Sequence, residues 1–212
     1  MTDTAPPWRR RTPVPQWPRL PSTGVVLGVD DRGAPVAFPL LVPGGATRVG
    51  VVGRDLDLAA LVACRLIGQG CELTVVSDRP GPWRRIAAQA PTPTVVADRV
   101  GAWPPIGRPC LPALIVDVPA TPPAEVSTPW STVVHVSPRF VPDSPWWRSA
   151  DLVLASGPQA ADVLAASEPV GCVPQPRPPD DAVVAFGGGR VEVLQPVLDD
   201  LDRRLLVALG SG

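Results

Sequence analysis

The chain has 212 residues, 45% of them hydrophobic and 18% charged, with a formal net charge of −1. A chain of that length buries roughly 70% of its unfolded-state surface, which excludes a peptide hormone or a disulfide-stapled miniprotein. All 19 residues in the Lys+Arg count are arginines, lysine, tyrosine and asparagine are absent, and there is 1 histidine. Lysine Schiff bases, a phosphate-binding P-loop lysine and multi-histidine metal sites are thereby excluded.

Residues 1–22 carry four arginines (Arg9, Arg10, Arg11, Arg19) against Asp3, with six prolines, Trp8 and Trp17. This composition favours extended polyproline II geometry and rules out a helix or central strand, so a disordered arm is expected ahead of a single domain at 23–212. Trp8, Arg9, Arg10, Arg11 and Trp17 are candidate anchors for an acidic partner or an anionic surface. The body offers no basic stripe, and nucleic-acid binding is not expected. No apolar leader and no apolar stretch long enough to cross a bilayer is found, which predicts a cytoplasmic protein. Cys64, Cys71, Cys110 and Cys172 lie far apart without a CxxC pair and read as buried thiols.

From residue 24 the pattern becomes regular. Residues 24–29 and 35–40 flank the turn Asp30-Asp31-Arg32-Gly33 and predict a β-hairpin. The apolar run 48–53 is followed by Leu56, Ala59, Ala60, Ala63, Leu66 and Ile67 at helical spacing, then by the strand pattern 72–77, a βαβ unit of ordinary length. Further strands are predicted at 94–97, 113–118, 132–136, 152–155, 183–186 and 191–194, and helices at about 80–90, 157–167 and 196–208. Several of these strands are near-continuous in Val, Ile and Leu, as in a sheet covered on both faces. The fold expected is a three-layer α/β sandwich, P-loop or Rossmann-like, with a mostly parallel central sheet. The Phe186-to-Arg190 glycine turn adds a C-terminal hairpin to the N-terminal one.

The first strand-to-helix turn is where such folds bind phosphates, because free N–H groups and the helix dipole favour an anion there. Against the pattern GxxxxGK[ST], Gly53 fits, while Leu58, Ala59 and Ala60 stand at the second glycine, the lysine and the hydroxyl. Against GxGxxG, Gly53 fits again, but Asp55 and Leu58 occupy the other glycine positions. Asp55 and Asp57 would repel a phosphate and satisfy the helix start themselves. An alternative reading keeps a nucleotide or other small ligand on Gly53, Arg54 and Asp78, the last lying 25 residues on, where a ribose-binding acid sits in a dinucleotide fold.

Taken in order, these segments resemble the motor domains of the FtsK/SpoIIIE family, in particular the EccC-type motors of actinobacterial type VII secretion. "TRVGVVGRDLDLAALVACRLI" is similar to the P-loop strand and helix, "PALIVDV" to the Walker B strand ending at Asp117, and "WSTVVHVSPRF" to the next strand. "ADLVLASGPQAADVLA" and "DDAVVAFGGGRVEVLQP" are similar to the last strand-helix unit and closing hairpin. Such an ATPase needs a lysine on the phosphates, a hydroxyl on magnesium and usually an acid after the Walker B aspartate, and here Ala59, Ala60 and Val118 stand in those places. The resemblance therefore implies a pseudo-ATPase: no cofactor, and a scaffold or regulatory role on a protein partner such as a secretion motor or a membrane-complex component.

Other groupings are weaker. His135, Ser137 and Asp117 are arithmetically a Ser/His/Asp set, but no GxSxG elbow presents the serine, and a structural histidine is expected. Asp180-Asp181 and Asp199, Asp200, Asp202 lack calcium-loop spacing and read as helix-surface and capping acids. Six of the 7 tryptophans adjoin a proline and the remaining one, Trp147, follows Trp146. They either cap the sheet layers or, at Trp103, Trp146, Trp147 and Arg148, form exposed anchors.

Overall fold

The near-continuous Val, Ile and Leu runs become the inner strands of one sheet, because a strand covered on both faces favours apolar side chains at successive positions. The computed structural model describes residues 24–42, 44–53, 56–99, 103–104, 111–123, 126, 128–167 and 182–210. The N-terminal arm, with Trp8, Arg9, Arg10, Arg11 and Trp17, lies outside them, as do Arg54, Asp55, Cys110, Cys172, Asp180 and Asp181. In chain order the elements are β1 (Val25–Val29), β2 (Pro35–Phe38), β3 (Ala46–Val52), α1 (Asp57–Gly68), β4 (Cys71–Ser77), α2 (Pro80–Gln89), β5 (Thr94–Ala97) and β6 (Leu111–Asp117). There follow β7 (Ser131–Ser137), α3 (Pro145–Ser149), β8 (Leu152–Ser156), α4 (Pro158–Ser167), β9 (Val183–Gly187), β10 (Arg190–Pro196) and α5 (Asp200–Gly210).

The sheet order is β2-β1-β10-β9-β8-β3-β7-β6-β4-β5. The run from β8 to β5 is parallel throughout. The predicted parallel sheet is thus its inner part. Both hairpins, expected as appendages, extend the same sheet antiparallel beyond β8. Their junction is β1 on β10, where Gly28 faces Pro196. A Cβ on Gly28 would sit 2.1 Å from the Gln195 carbonyl oxygen, so glycine is what lets the two hairpins join.

Helices cover both faces. One core gathers Leu66 and Ile67 of α1, Trp83 and Ile86 of α2 and Leu205 of α5 against Val49, Val51, Leu73 and Ile115. The other gathers Trp146 and Trp147 of α3 and Ala160, Val163 and Leu164 of α4 against Val52, Val116, Val133 and Val153. Helix α3 was missed by periodicity because five residues carry no period. Its signals are local: Pro145 at the first helical position, and Ser144, whose Oγ accepts the Trp147 N–H at 3.4 Å.

The exposed-anchor reading of Trp146 and Trp147 is corrected here, since they are only 5% and 6% exposed. Arg148 beside them does face outward. Gly50 makes room for the pair, because a Cβ there would meet Trp147 Cζ3 at 2.0 Å. His135, opposite Gly50 on β7, lies 5.9 Å from the Trp146 ring and 5.8 Å from Trp147. Trp103 is half-buried and donates its Nε1–H to the Val126 carbonyl at 2.9 Å.

The last helix starts at Asp200, not 196, because β10 runs on to Pro196. Asp199 and Asp202 then close a reciprocal cap, each carboxylate accepting the other's backbone N–H at 2.8 Å. Arg65 of α1 reaches both carboxylates at 2.8 Å and ties α5 to the sheet face. Burial pushes Asp202 above its ordinary value, while the backbone N–H of Asp202 holds Asp199 below its own. The neighbouring Cys64 thiol is pushed up to about 12 by burial, with the Asp202 charge adding to the effect, so it stays protonated and inert.

Two outcomes follow. Gly50→Ala should cost about 2 kcal/mol or more in urea unfolding, since neither the strand nor the indole can give way. For Asp202, a raised folded-state value means that stability falls as pH rises through that value from 3.8 upward. Arg65 limits that loss, so the stability deficit of Arg65→Met should be larger at pH 7 than near pH 4; a deficit independent of pH would refute the assignment.

Candidate functional site

The βα turns gather at the carboxyl ends of the parallel strands. Gly53 follows β3, buried, with its N–H on the Ser137 carbonyl at 3.0 Å. Beyond Arg54 and Asp55, Leu56 caps α1 with its backbone alone, and Asp57 puts an exposed acid in the first turn. Leu58, Ala59 and Ala60 are 7%, 0% and 0% exposed and turn into the core. At these positions the first turn of α1 offers methyl and isobutyl groups, with no cation or hydroxyl to meet a phosphate.

Asp117 ends β6 and is 4% exposed. Its carboxylate is engaged by three side chains from the β4–α2 connection. Ser77 Oγ donates to Oδ2 at 2.7 Å and Trp83 Nε1 to the same oxygen at 2.8 Å. Arg79 donates Nη2 to Oδ1 at 2.8 Å and shares Nε between the two oxygens at 3.2 and 3.0 Å. The Ser77 hydroxyl in turn accepts the Arg79 N–H at 3.0 Å. The sequence makes this possible through Pro80 at the first helical position, which fixes the entry of α2 and leaves Arg79 and Trp83 one turn apart.

The remaining candidates do not converge. Val118, after Asp117, carries no acid. Ser137 Oγ donates to the Arg139 carbonyl at 2.8 Å, and His135 Nδ1 lies 3.3 Å from the Val116 carbonyl, so neither meets the other or Asp117 in a triad. His135 is 1% exposed, and burial holds its imidazole below the usual value, although the Val116 carbonyl and the Asp117 charge pull the other way.

Of the alternative ligand set Gly53, Arg54 and Asp78, Arg54 lies outside the described residues, and the sheet order separates the other two. β7 and β6 stand between β3 and β4, so Asp78, exposed at the end of β4, lies three strands and about 14 Å from Gly53. A dinucleotide grip needs those two strands adjacent. Among the described residues no three His, Cys, Asp or Glu side chains stand together to hold a metal. No described helix is long and apolar enough to cross a membrane. Sequence reading missed Ser77, Arg79 and Trp83; the one visible signal was the Arg79/Trp83 spacing at a proline-started helix.

By sequence, no protein family and no curated protein matches the chain. By structure, it is similar to the cytoplasmic domain of the Thermomonospora curvata type VII secretion ATPase EccC, with a TM-score of 0.52 and 14% identity over 86% of this chain and 28% of that one. It is also similar to ATPases 2 and 3 of the same protein solved with a signal sequence peptide, with a TM-score of 0.51 and 12% identity over 84% of this chain and 41% of that one. The chain thus shares its fold with these ATPase domains, and it spans less than half the length of either solved chain.

Asp117→Ala strips four donor groups of their acceptor and should cost about 2–3 kcal/mol, moderated because Arg79 is 41% exposed and can rehydrate. Trp83→Phe should cost about 1 kcal/mol by losing a single bond. Urea unfolding checks both, and an unchanged midpoint in Asp117→Ala would show that the carboxylate does not hold α2.

Proposed function

We propose that this chain is a non-catalytic member of the motor-domain fold, working as a protein-interaction or regulatory module beside an active secretion motor in the cytoplasm. One observation carries the reading. The carboxylate at the Walker B position is occupied by Ser77, Arg79 and Trp83, which turn it toward β4 and α2. In a working P-loop ATPase that aspartate has to serve a magnesium ion beside the phosphates. A carboxylate saturated by internal donors gains little from a metal, and freeing it would take the acceptor from the buried Trp83 indole N–H and break the ion pair with Arg79.

The first turn of α1 supports the same reading. Magnesium and phosphate would be held there by a hydroxyl and a lysine, and Ala60 and Ala59 supply neither. A domain that keeps the fold and lacks the chemistry retains surfaces by which to bind, position or restrain a motor.

Calorimetry and a phosphate-release assay test the nucleotide half. A ligand at a hundred times its Kd adds about 2.7 kcal/mol of stability, several degrees in Tm. Millimolar MgATP is expected to leave Tm within about 1 °C and to yield no phosphate above the blank. A rise of several degrees, or turnover, would overturn the proposal.

A further inference from the structure

A groove of about 580 Å³ opens at the amino ends of the parallel strands, the opposite end of the sheet from the Gly53 turn. One wall is made by five successive residues, Pro35 to Pro39. Side chains of a strand alternate between its faces, so a groove that meets them in unbroken sequence runs along the strand's edge. β2 ends the sheet order and pairs with β1 on one side only. Its other edge carries the N–H and C=O groups that a terminal strand leaves without a ladder partner.

The facing wall comes from the starts of β3 and β8 and from the β9–β10 turn. There Thr47 is 1% exposed, and its Oγ1 has no hydrogen-bond partner. A buried hydroxyl left in that state costs about 1–3 kcal/mol until something satisfies it. The lining carries three carboxylates, Asp30, Asp151 and Glu192, and one guanidinium, Arg190; Glu192 is ion-paired to Arg190, and Asp151 accepts the Arg48 N–H at 3.0 Å. Asp30 at the hairpin turn spends Oδ1 on the N–H groups of Arg32 and Ala34, at 2.9 and 2.8 Å.

We propose that this groove docks an extended, arginine- or lysine-bearing peptide segment of a partner protein, which adds as a strand to the open edge of β2. The edge supplies backbone hydrogen bonds to any sequence, and the apolar lining around Val36 and Phe38 receives small apolar side chains. Asp30 selects a cation over an anion, and the Thr47 hydroxyl gains a partner. A helix would not serve, because its backbone is already bonded to itself and leaves the edge bare. The inference names a partner class for the interaction reading above. It uses neither Gly53 nor Asp117, so the nucleotide assays and the following experiment fail independently.

Isotope-labelled full-length chain is titrated with a short peptide of alternating arginine and valine, and amide shifts are followed by NMR. Saturable shifts are expected at Val36, Ala37, Phe38 and Thr47. Asp30→Asn keeps the turn's Oδ1 acceptor and should weaken the peptide about threefold at low salt, with the difference vanishing near 1 M salt. Thr47→Val removes an unsatisfied hydroxyl, so it should hold or raise Tm while weakening the peptide; a variant that is as stable and binds as tightly as the parent overturns the site. Shifts confined elsewhere, or none at millimolar peptide, overturn it too. So does equal binding of a glutamate-valine peptide. Movement of the same amides on diluting the free chain, or on deleting residues 1–22, would give the edge to a second copy or to the chain's own arm and overturn the partner assignment.

Discussion

The carboxylate of Asp117 organises one half of this molecule. It sits almost fully buried at the end of β6, and a buried carboxylate is tolerated only when donors surround it. The donors all come from the connection leaving the neighbouring strand: Ser77, the last residue of β4, Arg79 and Trp83. That single acceptor therefore fixes the end of β4 to the end of β6, sets the start of α2 and pulls the Trp83 ring into the core, where it is 1% exposed. Removing the charge unsettles a strand end, a helix start and an aromatic core residue together.

The same group decides what the carboxyl end of the sheet offers to a ligand. A parallel sheet with crossover helices puts its turns at the carboxyl ends of the strands, and chemistry on this architecture resides there. Among the described residues that end is taken up by packing and internal hydrogen bonds. Gly53 is buried, the first turn of α1 faces inward with Ala59 and Ala60, and the aspartate one strand beyond β7 is bound to its own neighbours. The open groove with an unsatisfied hydroxyl and a surplus of carboxylates lies at the opposite end, beside the hairpin β1–β2. A fold depends on apolar strands while a site depends on a few polar side chains, so the first does not fix the second.

Two further devices hold the layers in register. On one face Gly50 leaves a gap in β3 that Trp147 fills, and the indole pair encloses His135, whose burial keeps it neutral near pH 7. On the other, Arg65 clamps the reciprocal cap of Asp199 and Asp202 and seats α5 on α1. Both couple a residue in the sheet layer or on α1 to a short polar signal at a helix start, so a helix cannot shift without breaking a specific contact.

The elements can be read from the chain alone. Apolar runs such as ALIVDV mark strands buried on both faces whatever surrounds them, and helical spacing from Leu56 to Ile67 marks α1, because period and burial are local properties of the chain. The absence of lysine is likewise complete in the sequence. Which strands are neighbours was decided only in three dimensions. Asp117 and Ser77 are 40 residues apart, and no local pattern says that β6 lies against β4 or that β7 and β6 come between β3 and β4. That order brought Arg79 and Trp83 to Asp117, took Asp78 away from Gly53, and turned Trp146 and Trp147 from candidate anchors into core. A side chain's partners follow from sheet order, and sheet order is set by the packing of all the layers at once.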